Sequence, residues 1–152
     1  MHECELSIKG LSECVDMSSG KRITTEGIPA TQEVIRRIFK KDGWHFNWKA
    51  EYKKSDRQVF YLRTCTDDQR VQGLISATPK IKEKYIFLHL IENAPHNLGA
   101  GKQYEGITRN LVAYMCKASF ELGLEGYVAF DAKTALIDHY IKKFGAELIY
   151  PR

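Results

Sequence analysis

The sequence predicts an α/β (α+β) domain in which a mostly antiparallel sheet is sandwiched by helices. Three observations carry this reading. β-rich runs follow one another between Val59 and Glu92. An amphipathic helix then spans Ile107 to Leu122. A strand, a helix and a strand alternate from there to Tyr150.

Taken in order, residues 4–8 and 23–28 are expected as short strands on either side of the polar Asp16–Lys21 turn. From Thr31, a good N-cap, Val34, Ile35, Ile38 and Phe39 recur at helical spacing until Gly43 closes the helix. Trp44 to Lys54 fits a strand or a short helix equally. Val59–Cys65 and Val71–Ala77 are strands, separated by Thr66–Arg70 with the turn formers Asp67 and Asp68. The polar turn Pro79–Lys84 leads to a third strand, Tyr85–Glu92. Alternation puts Tyr85, Phe87, His89 and Ile91 on one face of it, and Leu88, Leu90 and Glu92 on the other. Ile107, Leu111, Tyr114, Met115, Ala118 and Leu122 then form the apolar stripe of a helix ended by Gly123. Tyr127–Phe130 is a strand. Thr134 caps a helix carrying Leu136, Ile137, Tyr140, Ile141 and Phe144, with Lys142 and Lys143 at its C-terminal end and Gly145 beyond. Glu147–Tyr150 is the last strand and is placed to pair across a homodimer.

With 152 residues, 43% hydrophobic and 28% charged, residues 1–152 read as one globular domain. A chain of this size buries roughly 70% of its unfolded surface and needs no staple. The net charge of +4 is too mild for a nucleic-acid coat or a polybasic membrane anchor. Arg36, Arg37, Lys40 and Lys41 read as the wet face of a helix, so no nucleic-acid partner is expected. The longest apolar stretch, Tyr85 to Ile91, is far below the ~20 residues of a membrane span. With no basic–apolar–small signal pattern at the N-terminus, a cytoplasmic location is expected. Cys4, Cys14, Cys65 and Cys116 are scattered, no two at CxxC spacing, and His89 and His96 find no completing ligand set. No metal is expected.

The strongest chemistry lies between Asn97 and Thr108, a glycine-bearing loop entering a helix. Such a loop offers free backbone N–H groups and the positive end of a helix dipole, which together hold phosphate oxygens. Three ligands compete. Gly101, Gly106 and Thr108 fit a nucleoside triphosphate loop, but Ile107 stands where that loop needs lysine. Gly99 and Gly101 begin a dinucleotide fingerprint, but Tyr104 replaces its third glycine. Gln103, Gly106 and Thr108 match the coenzyme A pattern Q/R-x-x-G-x-G/A except at its last position.

From about Val59 to Tyr150 the chain resembles the GNAT superfamily of N-acetyltransferases. Leu90 to Asn97 resembles a subset whose fourth strand runs into an acidic residue followed by Ala-Pro-x-Asn. Gln103 to Thr108 resembles the pyrophosphate loop, and Tyr140 with Phe144, Gly145 and Ala146 resembles the family's Tyr-x-x-x-Gly-Phe ending. The first 58 residues carry no family motif.

The resemblance implies a GNAT-like mixed sheet and an acyl-CoA-dependent N-acyltransferase, moving acetyl from acetyl-CoA to an amine by direct attack in a ternary complex. Pantetheine would pair with the strand edge Leu90–Asn93, Ile91 included. The backbone of Gln103, Tyr104, Glu105, Gly106, Ile107 and Thr108 would surround the pyrophosphate, with the Thr108 hydroxyl able to donate to it. Lys133, where many relatives carry Asn, would reach a CoA phosphate or merely flank the helix start. Tyr140 would protonate the departing sulfur, and Glu92 would act as the base, with His89 and His96 as substitutes. Two rival readings stand beside this one. One is a non-catalytic domain that senses or scaffolds acyl-CoA; the other is a toxin-like enzyme acylating protein or tRNA. The amine acceptor itself is not legible.

Overall fold

The first hairpin closes on a side chain. Ser18 donates both its backbone N–H and its hydroxyl to Asp16 Oδ1 (3.0 and 2.8 Å), turning strand β1 (Ser12–Asp16) into β2 (Arg22–Pro29). The computed structural model describes Leu6 and residues 12–131. The strand expected over residues 4–8 therefore lies, Leu6 apart, outside the described residues, and β2 takes Ser12–Asp16 as its antiparallel partner.

Thr31 caps the first helix as expected, its hydroxyl accepting from Val34 N at 3.3 Å. Yet α1 (Gln32–Arg36) does not reach Gly43. The Lys49 ammonium takes the Ile38 carbonyl at 2.5 Å, Phe39 turns extended, and a separate 3₁₀ turn covers Lys40–Asp42. Gly43 ends that turn at φ +109°, where a Cβ would also stand 3.0 Å from Pro95. The ambiguous aromatic segment resolves into helix α2 (Trp48–Lys53), with Asn47 Oδ1 accepting from Ala50 N at 3.1 Å.

Three strands follow as a meander: β3 (Gln58–Thr64), β4 (Gly73–Lys80) and β5 (Tyr85–Asn93). Pro79 was expected in the turn but lies inside β4, paired with Ile86. Proline is tolerated there because β3 begins only at Gln58, opposite Ala77, leaving that side of β4 beyond it without a ladder. After a 3₁₀ turn at Pro95–Asn97 come β6 (Tyr104–Glu105), helix α3 (Ile107–Glu121) and β7 (Val128–Phe130). The seven strands form one sheet in the order β6-β1-β2-β3-β4-β5-β7, antiparallel throughout except for the parallel pair β5–β7. The helix and strand expected over 134–150 lie outside the described residues.

Each face of the sheet has its own core. Leu62, Ile75, Ile86 and Leu88 pack against Ile107, Leu111, Tyr114 and Met115 of α3. Tyr61, Leu74 and Val59 pack against Val34, Ile35, Trp44 and Trp48 on the other side. Alternation along β5 is broken once. Ser76 pairs with Leu90 and Ala77 with Leu88, so His89 is the extra residue of a β-bulge. The bulge corrects the expected faces. Leu88 and Ile91 both join the α3 core, while Leu90 packs with the opposite one and Glu92 reaches Trp48 there.

Among the described residues, Cys14, Cys65 and Cys116 are free thiols. No group of three metal-binding side chains is found there, and no helix is long and apolar enough to cross a membrane.

Candidate active site

The site is built where a strand edge meets a helix start. β5 pairs with β7 only from Ile86 to Leu88, so beyond the bulge Leu90–Asn93 has a described strand, β4, on one side alone. Ile91, paired with Ile75, lies on this stretch. The edge leads through the Pro95–Asn97 turn and the following loop to α3.

Gly106 caps α3 in the left-handed region, φ +95°, and brings no side chain to cap the first amides of the helix. The first intrahelical bond is Asn110 N to Gly106 O, 3.0 Å. The amides of Ile107, Thr108 and Arg109 therefore precede any acceptor within the helix and form its positive end, with no acidic residue in that turn.

Asn110 fixes this geometry. Its amide donates to Gly106 O (2.7 Å) and Glu13 O (2.8 Å), while its Oδ1 accepts from the Thr25 hydroxyl at 2.6 Å. The side chain is only 3% exposed and spans β1, β2 and α3. Asn110→Asp would aim an acceptor at two carbonyls, leaving buried polar groups unmatched. The expected loss is about 3 kcal/mol of stability, read from urea denaturation. A variant as stable as wild type would show that the cap does not depend on this side chain.

The rest of the predicted phosphate loop is less free than expected. Gln103 N donates to His96 O (2.9 Å), Tyr104 N to Asn97 Oδ1 (3.0 Å), and β6 is paired with β1. Glu105 is exposed and stands 3.5 Å from the Lys102 ammonium. The Thr108 hydroxyl donates to Asn93 Oδ1 at 2.7 Å, joining the helix start to the strand edge. The amides open to an anion are thus those of the first helical turn.

Behind the loop lies a buried amide network. Asn97 Nδ2 donates to the carbonyl and to the Oε1 of Gln72 (3.0 and 2.9 Å), and His96 Nε2 meets the same Oε1 at 2.8 Å. Since that oxygen only accepts, His96 carries its proton on Nε2. Burial, and then the Arg70 charge, hold the His96 ring below its usual pKa. Arg70 also donates to the Gln103 side chain at 3.0 Å. Asn110 sits three residues after Ile107 on an otherwise apolar stripe. That is a legible hint of a buried polar role; Gln72 and Asn97 offered none.

Glu92 is buried beside aromatic side chains. Its carboxylate accepts from His45 N (2.5 Å), Phe46 N (3.2 Å) and Trp48 Nε1 (2.8 Å). Both oxygens thus bind the segment that leads into α2. Trp44 and Trp48 are core, whereas Phe46 and Tyr52 are only partly buried. Arg36, Arg37, Lys40 and Lys41 are exposed, as a wet face requires. Tyr140 and Lys133 lie outside the described residues.

No protein-family profile matches the chain, and no curated protein matches it in sequence. Solved structures match in shape. One is an aminoglycoside acetyltransferase from an uncultured soil metagenomic sample, solved in complex with trehalose. It gives a TM-score of 0.53 at 13% identity, over 84% of this chain and 93% of that one. An integron cassette protein from the mobile metagenome of V. cholerae gives 0.55 at 16% identity, over 84% and 91%. A transcriptional regulator from Bacillus halodurans C-125 gives 0.54 at 11% identity, over 84% and 96%. At these identities the likeness is one of fold, and that fold is the GNAT-like mixed sheet expected from the motifs.

Proposed function

We propose that this chain is an acyl-CoA-dependent N-acyltransferase, moving acetyl from acetyl-CoA to an amine by direct attack. One observation carries the reading: among the described residues the strand edge Leu90–Asn93 has no partner beyond β4, and it runs beside a helix start whose Ile107, Thr108 and Arg109 amides have no acceptor in the helix. A linear amide-bearing arm fits such an edge, and a pyrophosphate fits such a helix start. The donor set suits the group. It offers backbone N–H groups, the dipole, and a glycine where the backbone turns left-handed.

In this reading Ile91 and its neighbours receive pantetheine. Gly106, Ile107 and Thr108 face the pyrophosphate, with Gln103, Tyr104 and Glu105 holding the loop against β1, and Lys133 reaches a phosphate. Tyr140 protonates the sulfur as the C–S bond breaks. Glu92 holds segment 45–48 in place; its three N–H donors argue for that work over proton transfer.

Titration calorimetry with acetyl-CoA, against ATP and NAD as controls, tests the reading. Micromolar binding of acetyl-CoA alone is the expected result, and its absence from folded protein overturns the proposal. Tyr140→Phe is expected to lower thiol release about 100-fold with acetyl-CoA affinity unchanged. A Phe variant with wild-type turnover would remove Tyr140 from the mechanism.

A further inference from the structure

At the point where β5 parts from β7 stands a histidine that the phosphate-facing turn does not use. Leu88 is the last β5 residue paired with β7, and His89, the bulged residue, follows it. Its half-buried ring lies edge-on to Phe87, with 4.8 Å between ring centroids.

Hydrogen bonding fixes the state of this ring. His89 Nε2 lies 2.7 Å from the Thr78 hydroxyl, and that hydroxyl also bonds the Asp56 carbonyl. A carbonyl only accepts, so the one hydroxyl proton goes to Asp56. Thr78 can then only accept from the ring, which puts the imidazole proton on Nε2 and the lone pair on Nδ1. Among the described residues Nδ1 has no hydrogen-bond partner.

Four charged groups face the ring. Arg57 and Lys80 oppose its protonation, while Glu51 and Asp56 favour it. Glu51 is itself engaged by Ser76 Oγ (2.6 Å), Arg57 Nε (3.0 Å) and the Lys54 ammonium (3.1 Å). Burial, the largest effect, acts together with Arg57 and Lys80 against the two carboxylates and brings His89 down to about 4, so the ring is neutral at pH 7.

We propose that His89 takes the proton from the attacking amine, with Thr78 as the positioning residue that sets its tautomer. The inference rests on the acyltransferase reading above and assigns the base within it. As the N–C bond forms and the thioester C–S bond breaks, the amine's surplus proton passes to His89 Nδ1. The departing sulfur gains its proton from Tyr140. The half-exposed imidazolium then returns its proton to solvent, and solvent reprotonates Tyr140, so that amine and thioester become amide and thiol. A ring that burial makes weakly basic releases that proton readily between turnovers.

The test has two arms. Long-range ¹H–¹⁵N NMR of the full chain, with His89→Gln for assignment, is expected to show a neutral Nε2–H ring from pH 8 to 5, protonating near pH 4. An Nδ1–H ring overturns the proposal. In the second arm, acetyl-CoA is offered with alkyl, arylalkyl and amino-sugar primary amines, and thiol release is followed. His89→Gln is expected to lower kcat about 100-fold or more, with acetyl-CoA affinity held within about twofold. Thr78→Val should lower kcat about tenfold and shift the ring's tautomer populations. Turnover that survives His89→Gln overturns this assignment alone. A folded wild type that does not bind acetyl-CoA overturns the acyltransferase reading itself. Binding without thiol release for any amine overturns the enzyme and its base together.

Discussion

Glu92→Ala is expected to lower the unfolding free energy by about 3–5 kcal/mol, a large share of what a domain of this size has. Three N–H groups from His45, Phe46 and Trp48 converge on this one carboxylate. Alanine strands all three, and the Trp48 indole among them is 1% exposed, where water cannot replace the lost acceptor. Glu92→Gln keeps the shape and one oxygen but turns an NH₂ toward donors, so about half of that loss is expected. Urea denaturation followed by tryptophan fluorescence measures both. The pair also separates two roles. A carboxylate that serves as a base would lose turnover in the Gln variant while the fold stayed intact. A carboxylate that organises the segment before α2 loses stability first, and activity only as that segment loosens. Gln at wild-type stability with turnover down about 100-fold would restore Glu92 as the base.

What the sequence made legible follows from how local each cause is. The three β-rich runs became β3, β4 and β5 because their patterning and their turn at Asp67–Asp68 act within a few residues. The stripe Ile107, Leu111, Tyr114, Met115 and Ala118 became the buried face of α3 for the same reason. The errors have distant causes. The helix from Thr31 stops at Arg36, and the Ile38 carbonyl that a longer helix would use goes to Lys49, eleven residues on. β4 continues through Pro79 because β3 begins only at Gln58, opposite Ala77, a fact of register that composition does not carry. The bulge at His89 flips every side chain after it, and nothing in Phe87–Leu90 announces it. At the site, the motif located the helix start at Gly106. It did not show that Thr108 would bond Asn93, nor that Asn97 and Gln72 would brace the loop from beneath. Such pairings join residues that only the finished sheet brings together.

Gly73→Val is expected to be the most damaging change to the junction itself. A Cβ on Gly73 would stand 2.8 Å from Ile107 Cγ2 and 3.1 Å from both Glu92 O and Leu111 Cδ1. None of these yields easily. Ile107 is 1% exposed and β-branched, Leu111 is equally buried, and Glu92 O is backbone. Relief must come from the first turn of α3 moving off the sheet. Alanine is expected to cost about 1–3 kcal/mol by overpacking, and valine more. For a chain of this length each kcal/mol lowers Tm by about 2–4 °C. The displacement also separates the Ile107–Arg109 amides from the Leu90–Asn93 edge. Acetyl-CoA affinity should therefore fall further than stability alone explains, even at temperatures where Gly73→Ala is fully folded. Ile107→Ala supplies the control. It leaves a cavity that costs about 2–5 kcal/mol by itself, yet it removes the methyl that the new Cβ would strike. The double variant should then be more stable than the sum of the two losses predicts, by about 1 kcal/mol or more. Strict additivity would mean that the helix start does not rest on the absent side chain of Gly73, and that its closeness to the strand edge is maintained from elsewhere.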